Sequence, residues 1–169
     1  MTLGILLLSM FLFAFNGWAC PNLTGTYNCI QDASLFEVMV ITQEIRNGVT
    51  IYSLNGSKFS SDGEPHGLEG LPALKNSMVK AWCDGAVFKS EIRGEYFQAA
   101  EYHRDSAEPI QDQMENGELQ LTLELSLEKG SLLQIAAGTL QNAKGEFPIH
   151  GFSNCLNAQT AQKIGPKDY

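Results

Sequence analysis

Glu118-Leu-Gln-Leu-Thr-Leu-Glu-Leu-Ser-Leu-Glu128 places leucine at 119, 121, 123, 125 and 127, with a polar residue after each. Leucine is a good helix former, but five alternating leucines would point all round a helix axis. In a strand they line one face, so the strand reading wins and that face has a core to cover. Lys129-Gly130 turns the chain, and Leu133, Ile135 and Ala137 continue a second strand to about Leu140. Another turn at Asn142 to Gly145 leads into Phe147, Ile149 and Gly151, which alternate toward Cys155. Three such strands in succession are an antiparallel meander.

The first half has the same grammar. Phe36 to Thr42 continues to Arg46, Asn47-Gly48 follows, and Val49 to Tyr52 returns. Asn-Gly between β-branched residues is a strong hairpin signal, because a type I′ turn needs positive φ at both central positions. Asn55-Gly56 repeats it, and Asp84-Gly85 is read as joining Met78–Cys83 to Ala86–Arg93. A further strand is expected around Tyr96–Tyr102. Two stretches break the pattern. Ser60 to Asn76 reads as a long loop, and acidic Arg104 to Gly117 reads as a loop or a short surface helix. The fold expected is all-β: an up-and-down meander of about eight to ten strands forming a closed or flattened barrel. Closure hides the strand edges that a leucine-striped meander would otherwise present.

Leu3 to Phe15 is almost wholly apolar, with the length of a signal-peptide core and too short for a membrane span. Gly17 and Ala19 stand at −3 and −1 of a cut before Cys20, so residues 1–19 read as a signal peptide and 20–169 as one domain. No Lys or Arg precedes the apolar run; only the Met1 amine is positive there. Cys20 beside the cut also suits lipid attachment. Gly17 and bulky Trp18 depart from a lipobox, and lipidation would leave an odd number of cysteines. The expected destination is therefore the periplasm or the extracellular space, as a monomer.

Cys20, Cys29, Cys83 and Cys155 are an even set for an oxidising compartment, with three possible connectivities. Cys20–Cys29 with Cys83–Cys155 is the favoured pairing. The first would staple the N-terminus to the opening strand, and the second would join distant parts of the chain for ~4 kcal/mol. Eleven basic against nineteen acidic residues, net −8, argue against nucleic acid and anionic membranes.

Leu23-Thr-Gly-Thr-Tyr27 resembles the Gly-x-Trp opening of lipocalins and related calycin-like barrels, with Tyr27 in place of Trp. The resemblance implies that Gly25 allows a close turn and that Tyr27 plugs the closed end of a ligand-binding barrel. Tyr27-Asn-Cys29 followed by Phe36-Glu-Val38 is similar to the opening of small-barrel periplasmic lysozyme inhibitors.

The chain lacks the local motifs of serine hydrolases, zinc proteases, phosphate-binding loops and EF-hands, so no enzyme activity and no cofactor are expected. His66, His103 and His150 have no metal-ligand spacing, and the carboxylate pairs are what nineteen acids give by chance. Asp62 to His66 lies in the long loop, where a rim contact is a candidate. The apolar stripe, with Leu133 and Ile135, either fills a core or lines a cavity. In the cavity case Tyr52, Trp82, Phe88, Leu121, Leu123 and Leu125 are the candidate ligand-binding residues, with Phe97 nearby. The function expected is an exported lipocalin-like barrel that binds a small apolar ligand. The alternative is a protein-binding barrel such as a hydrolase inhibitor.

Overall fold

The computed structural model describes residues 20–32, 35–71, 73–97 and 116–158. The proposed signal peptide, the strand beyond Phe97, the acidic stretch before Asn116 and the tail after Ala158 lie outside the described residues. Among the described residues ten strands follow in chain order: β1 Gly25–Asp32, β2 Leu35–Arg46, β3 Val49–Leu54, β4 Ser57–Ser60, β5 Pro65–Gly67, β6 Leu74–Asp84, β7 Val87–Tyr96, β8 Gly117–Glu128, β9 Ser131–Asn142 and β10 Gly145–Asn157. They form one antiparallel sheet in the order β4-β3-β2-β1-β10-β9-β8-β7-β6-β5, curled into a nearly closed barrel.

Turn chemistry sets this order. Asn47-Gly48, Asn55-Gly56 and Lys129-Gly130 all have positive φ at both positions, as two-residue I′ hairpins require. The third hairpin of the first half differs from the sequence reading. β6 runs through Asp84, which pairs with Val87, so the turn is Gly85-Ala86 with positive φ at Gly85 alone. That is the pattern of a II′ turn.

The long loop is also shorter than expected. β5 forms inside it and β6 starts at Leu74. Leu68 is buried, its N–H donating to the Ser77 carbonyl (2.9 Å) while the Ser77 hydroxyl donates to the Leu68 carbonyl (2.7 Å). Ser77 turns inward at a bulge where Asn76 takes φ 49°. Gly94 on β7 makes room for it, since a Cβ there would lie 3.0 Å from that of Ser77.

β1 pairs with β10, so the first and last strands lie side by side. The break in the sheet falls between β4 and β5, which are consecutive in the chain. The Gly63 N–H, between these two strands, donates to the Ala81 carbonyl of β6 across that seam (2.9 Å).

The cysteine pairing is corrected. Cys20 bonds to Cys83 and Cys29 to Cys155. Cys29 and Cys155 are directly opposite across the β1–β10 ladder, and both face the core. Cys20 lies beside β1 but reaches the end of β6, so Cys20–Cys29 gives way to a link across the barrel. These disulfides fit an oxidising, exported environment. Among the described residues no helix is long and apolar enough to cross a membrane.

Peptide mapping without reduction is expected to recover Cys20–Cys83 and Cys29–Cys155 linkages. In the chain-entropy model, closing loops of 63 and 126 residues stabilises by about 4 to 5 kcal/mol each. Reduction is therefore expected to lower the melting temperature by well over ten degrees. Recovery of a Cys20–Cys29 peptide from folded, monodisperse protein would contradict this topology.

Candidate functional site

The two ends of the barrel differ. One end gathers the start of β1, the β2–β3 turn, the end of β4, the β6–β7 turn and the β8–β9 turn. The segment Cys20–Thr24 lies across it and plugs it. Leu23 is fully buried, and its N–H donates to Gln43 Oε1. The Tyr27 hydroxyl donates to the Leu23 carbonyl at 3.0 Å, and the Tyr52 hydroxyl donates to the Pro21 carbonyl. Ser61 lies with its hydroxyl 3.3 Å from Cys20 Sγ, beside the Cys20–Cys83 bond. The plug thus ties both flanks of the seam together.

Gly25 and Tyr27 sit two residues apart on one face of β1. The Tyr27 ring folds back over Gly25, where a Cβ would meet ring atoms at 3.0 Å. The Gly-x-aromatic spacing therefore serves packing: an aromatic ring covers a glycine at the closed end.

Of the sequence candidates, Tyr52, Phe88 and Leu125 are brought together above this plug, each with no exposed surface. The Tyr52 and Phe88 rings are 4.6 Å apart, and Phe59 meets Phe88 edge-on at 6.0 Å. This half of the interior is packed core. Leu123 is buried one step further along β8, and Leu121 is half-buried beyond it. Trp82 is elsewhere. It alternates with Ala81 and Cys83, which face the core, so its side chain takes the outer face opposite Lys89. Leu133 and Ile135 are likewise outward, because the core face of β9 carries Leu132, Gln134, Ala136, Gly138 and Leu140. Phe97 lies at the far rim, beneath the Lys75 ammonium at 4.3 Å.

Among the described residues nothing lies across the other end. Residues directly opposite on paired strands share a face. One inner row runs Val79, Ile92, Leu121, Gly138, Ile149, and the next, nearer the rim, runs Gly94, Leu119, Leu140, Phe147. Val79 and Ile92 are buried, whereas Leu119, Leu121, Phe147 and Ile149 are only half-buried. The cause is the short reach of β1, which pairs with β10 from Asn154 to Asn157 only. Among the described residues nothing pairs with the Gly145–Ser153 edge on that side. On the outer face at this edge a surface cleft of about 650 Å³ is lined by the row Lys75, Glu95, Glu118 and Gln141, with Tyr96 and Phe97. The sequence reading passed over Phe147 and Ile149 as wall residues, although their alternation signalled an inward face.

The Asp62–His66 loop braces the seam. The Asp62 carboxylate accepts from the Glu64 N–H, the Ser60 hydroxyl and His66 Nε2, at 2.8 to 3.0 Å. These hydrogen bonds hold it below the ordinary carboxyl range, the Glu64 amide foremost. Among the described residues no three His, Cys, Asp or Glu side chains gather as a metal site would require.

Burial pushes the Tyr52 hydroxyl up to about 12 and also raises that of Tyr27. The unfolded chain ionises these groups near 10.0, so their contribution to stability is complete below pH 10. It is lost as pH rises through the folded value. Absorbance titration at 295 nm is expected to show Tyr52 and Tyr27 ionising late, with stability falling between pH 10 and about 12. Tyr52→Phe should flatten that fall. Ionisation of Tyr27 and Tyr52 near pH 10 with the fold intact would contradict the plugged end.

No family model matches the chain, and neither a curated protein nor a solved structure matches it. The resemblance to calycin-like barrels therefore stands on architecture: an all-antiparallel, ten-stranded, nearly closed barrel.

Proposed function

We propose that the protein is an exported lipocalin-like barrel that takes a small apolar ligand through its open end. The observation that supports this reading is the contrast between the two ends. One is plugged and packed, while at the other Leu119, Leu121, Phe147 and Ile149 present an apolar inner wall to solvent. Ligand sites are lined mainly by such apolar walls. Ligand contact then moves from the deep set Tyr52, Phe88 and Leu125 to the outer part of the leucine stripe.

Titration with Nile red, a neutral apolar dye, tests the site. The wild-type protein is expected to bind it with a blue-shifted emission. Ile149→Ser should weaken binding about tenfold, the order for losing roughly 60 Å² of apolar contact. Ile135→Ser, on the outer face, should leave binding unchanged. Equal effects of the two substitutions would refute the mouth as the site.

A second reading, a protein-binding barrel such as a hydrolase inhibitor, is favoured by the outer face. Phe152 and Ile135 are directly opposite on β10 and β9 and are 64% and 40% exposed. Val38 and Val40 add exposed apolar surface on β2. On this reading the protein inhibits a lysozyme in a cell-wall lysis assay, and Phe152→Asp abolishes the inhibition. No inhibition across a panel of lysozyme types at micromolar protein would remove it.

A further inference from the structure

Ser90 takes no part in the plug at one end or in the half-buried wall at the other. It lies on β7 between Phe88 and Ile92 in the alternation, directly opposite Ala81 of β6 and Leu123 of β8. Both neighbours belong to the buried core, so Ser90 faces inward. Its side chain is fully buried, and its hydroxyl has no hydrogen-bond partner. Among the described residues it is the one buried side-chain nitrogen or oxygen left so. The buried Ser77 shows the alternative, with its hydroxyl given to the Leu68 carbonyl. An orphaned hydroxyl in a core costs stability that alanine would avoid.

Its position relative to the mouth gives the hydroxyl a use. The inner row through Ser90 runs Ala81, Ser90, Leu123, Ala136, Gly151, and four of its five members are small. The row immediately toward the rim holds Ile92, Leu121 and Ile149. Same-face residues along a strand are about 7 Å apart, so Ser90 sits about 7 Å deeper than the half-buried wall. Its orphaned hydroxyl lies beneath an apolar throat, and the next inner row, toward the plug, adds the neutral polar residues Gln134 and Ser153.

We infer that the ligand of this mouth is a neutral, mainly apolar molecule whose leading end carries one hydroxyl or carbonyl group, and that this group pairs with the Ser90 hydroxyl. A serine hydroxyl both donates and accepts, so an alcohol or a ketone would satisfy it. An ionised carboxylate or amine would not. With only neutral polar groups on these inner rows, burial of a charge costs far more than hydrogen bonding to them returns. This inference rests on the small-ligand reading above and adds the chemical class of the ligand.

Calorimetric titration with 1-octanol, 1-chlorooctane and octanoate at neutral pH separates the two. Wild-type protein is expected to bind 1-octanol about tenfold more tightly than 1-chlorooctane, the order of one buried hydrogen bond, and octanoate least well. Ser90→Ala should erase the preference by weakening 1-octanol alone, with the unliganded variant melting no lower than wild type. Ser90→Thr, which keeps the hydroxyl, should retain part of the preference. A preference unchanged in Ser90→Ala, no preference in wild type, or octanoate binding as tightly as 1-octanol would each overturn the inference while leaving the mouth as a site. Failure of all three probes to bind would overturn the mouth reading and this inference together.

Discussion

The pairing of β1 with β10 is the contact on which the rest of the structure depends. It joins strands from opposite ends of the described chain, and Cys29–Cys155 clamps it from inside the core. Every other neighbour pair in the sheet is joined by the chain itself. Without β1–β10 the molecule would be two separate meanders, β1–β4 and β5–β10, each with an exposed apolar face. With it they become one curled sheet, and the break moves to a place where the chain crosses it.

The two ends of the barrel follow from the same contact. Residues 20–24 run straight into β1, so fixing β1 beside β10 delivers this segment to one end of the barrel. There it meets Tyr27, Tyr52 and Cys83. Toward the opposite end β1 stops early while β8, β9 and β10 continue. The closed end thus comes from the segment that leads into β1, and the contrast at the other end from a length mismatch between β1 and β10.

Much of this was legible in the sequence. The leucine stripe announced β8 because a period of two is incompatible with a helix, and the Asn-Gly pairs located two hairpins. The facing of β9 was also present, though easily misread. A two-residue turn at Lys129-Gly130 sets Leu127 opposite Leu132, so inward odd positions on β8 meet inward even positions on β9. Leu133 and Ile135 look like core by composition and are outward by register. The disulfide pairing was not legible, because it depends on a β1–β10 ladder that no local signal specifies. Ser90 was hidden for a different reason: within Lys89-Ser90-Glu91 it reads as one more surface residue, and only its partners Ala81 and Leu123 place it inside.

The cysteine topology has a consequence for how the chain matures. As the N-terminus emerges first, Cys20 and Cys29 are close together in an open chain long before Cys155 has been made. Short loops close in tens of nanoseconds, so oxidation at that stage favours the neighbours over the native partners. The native bonds instead require Cys29 to wait for the last strand of the sheet. A compartment that only oxidised would trap the early pair. Maturation calls for one that also reshuffles disulfides by thiolate attack, so that the completed sheet selects which sulfurs remain joined.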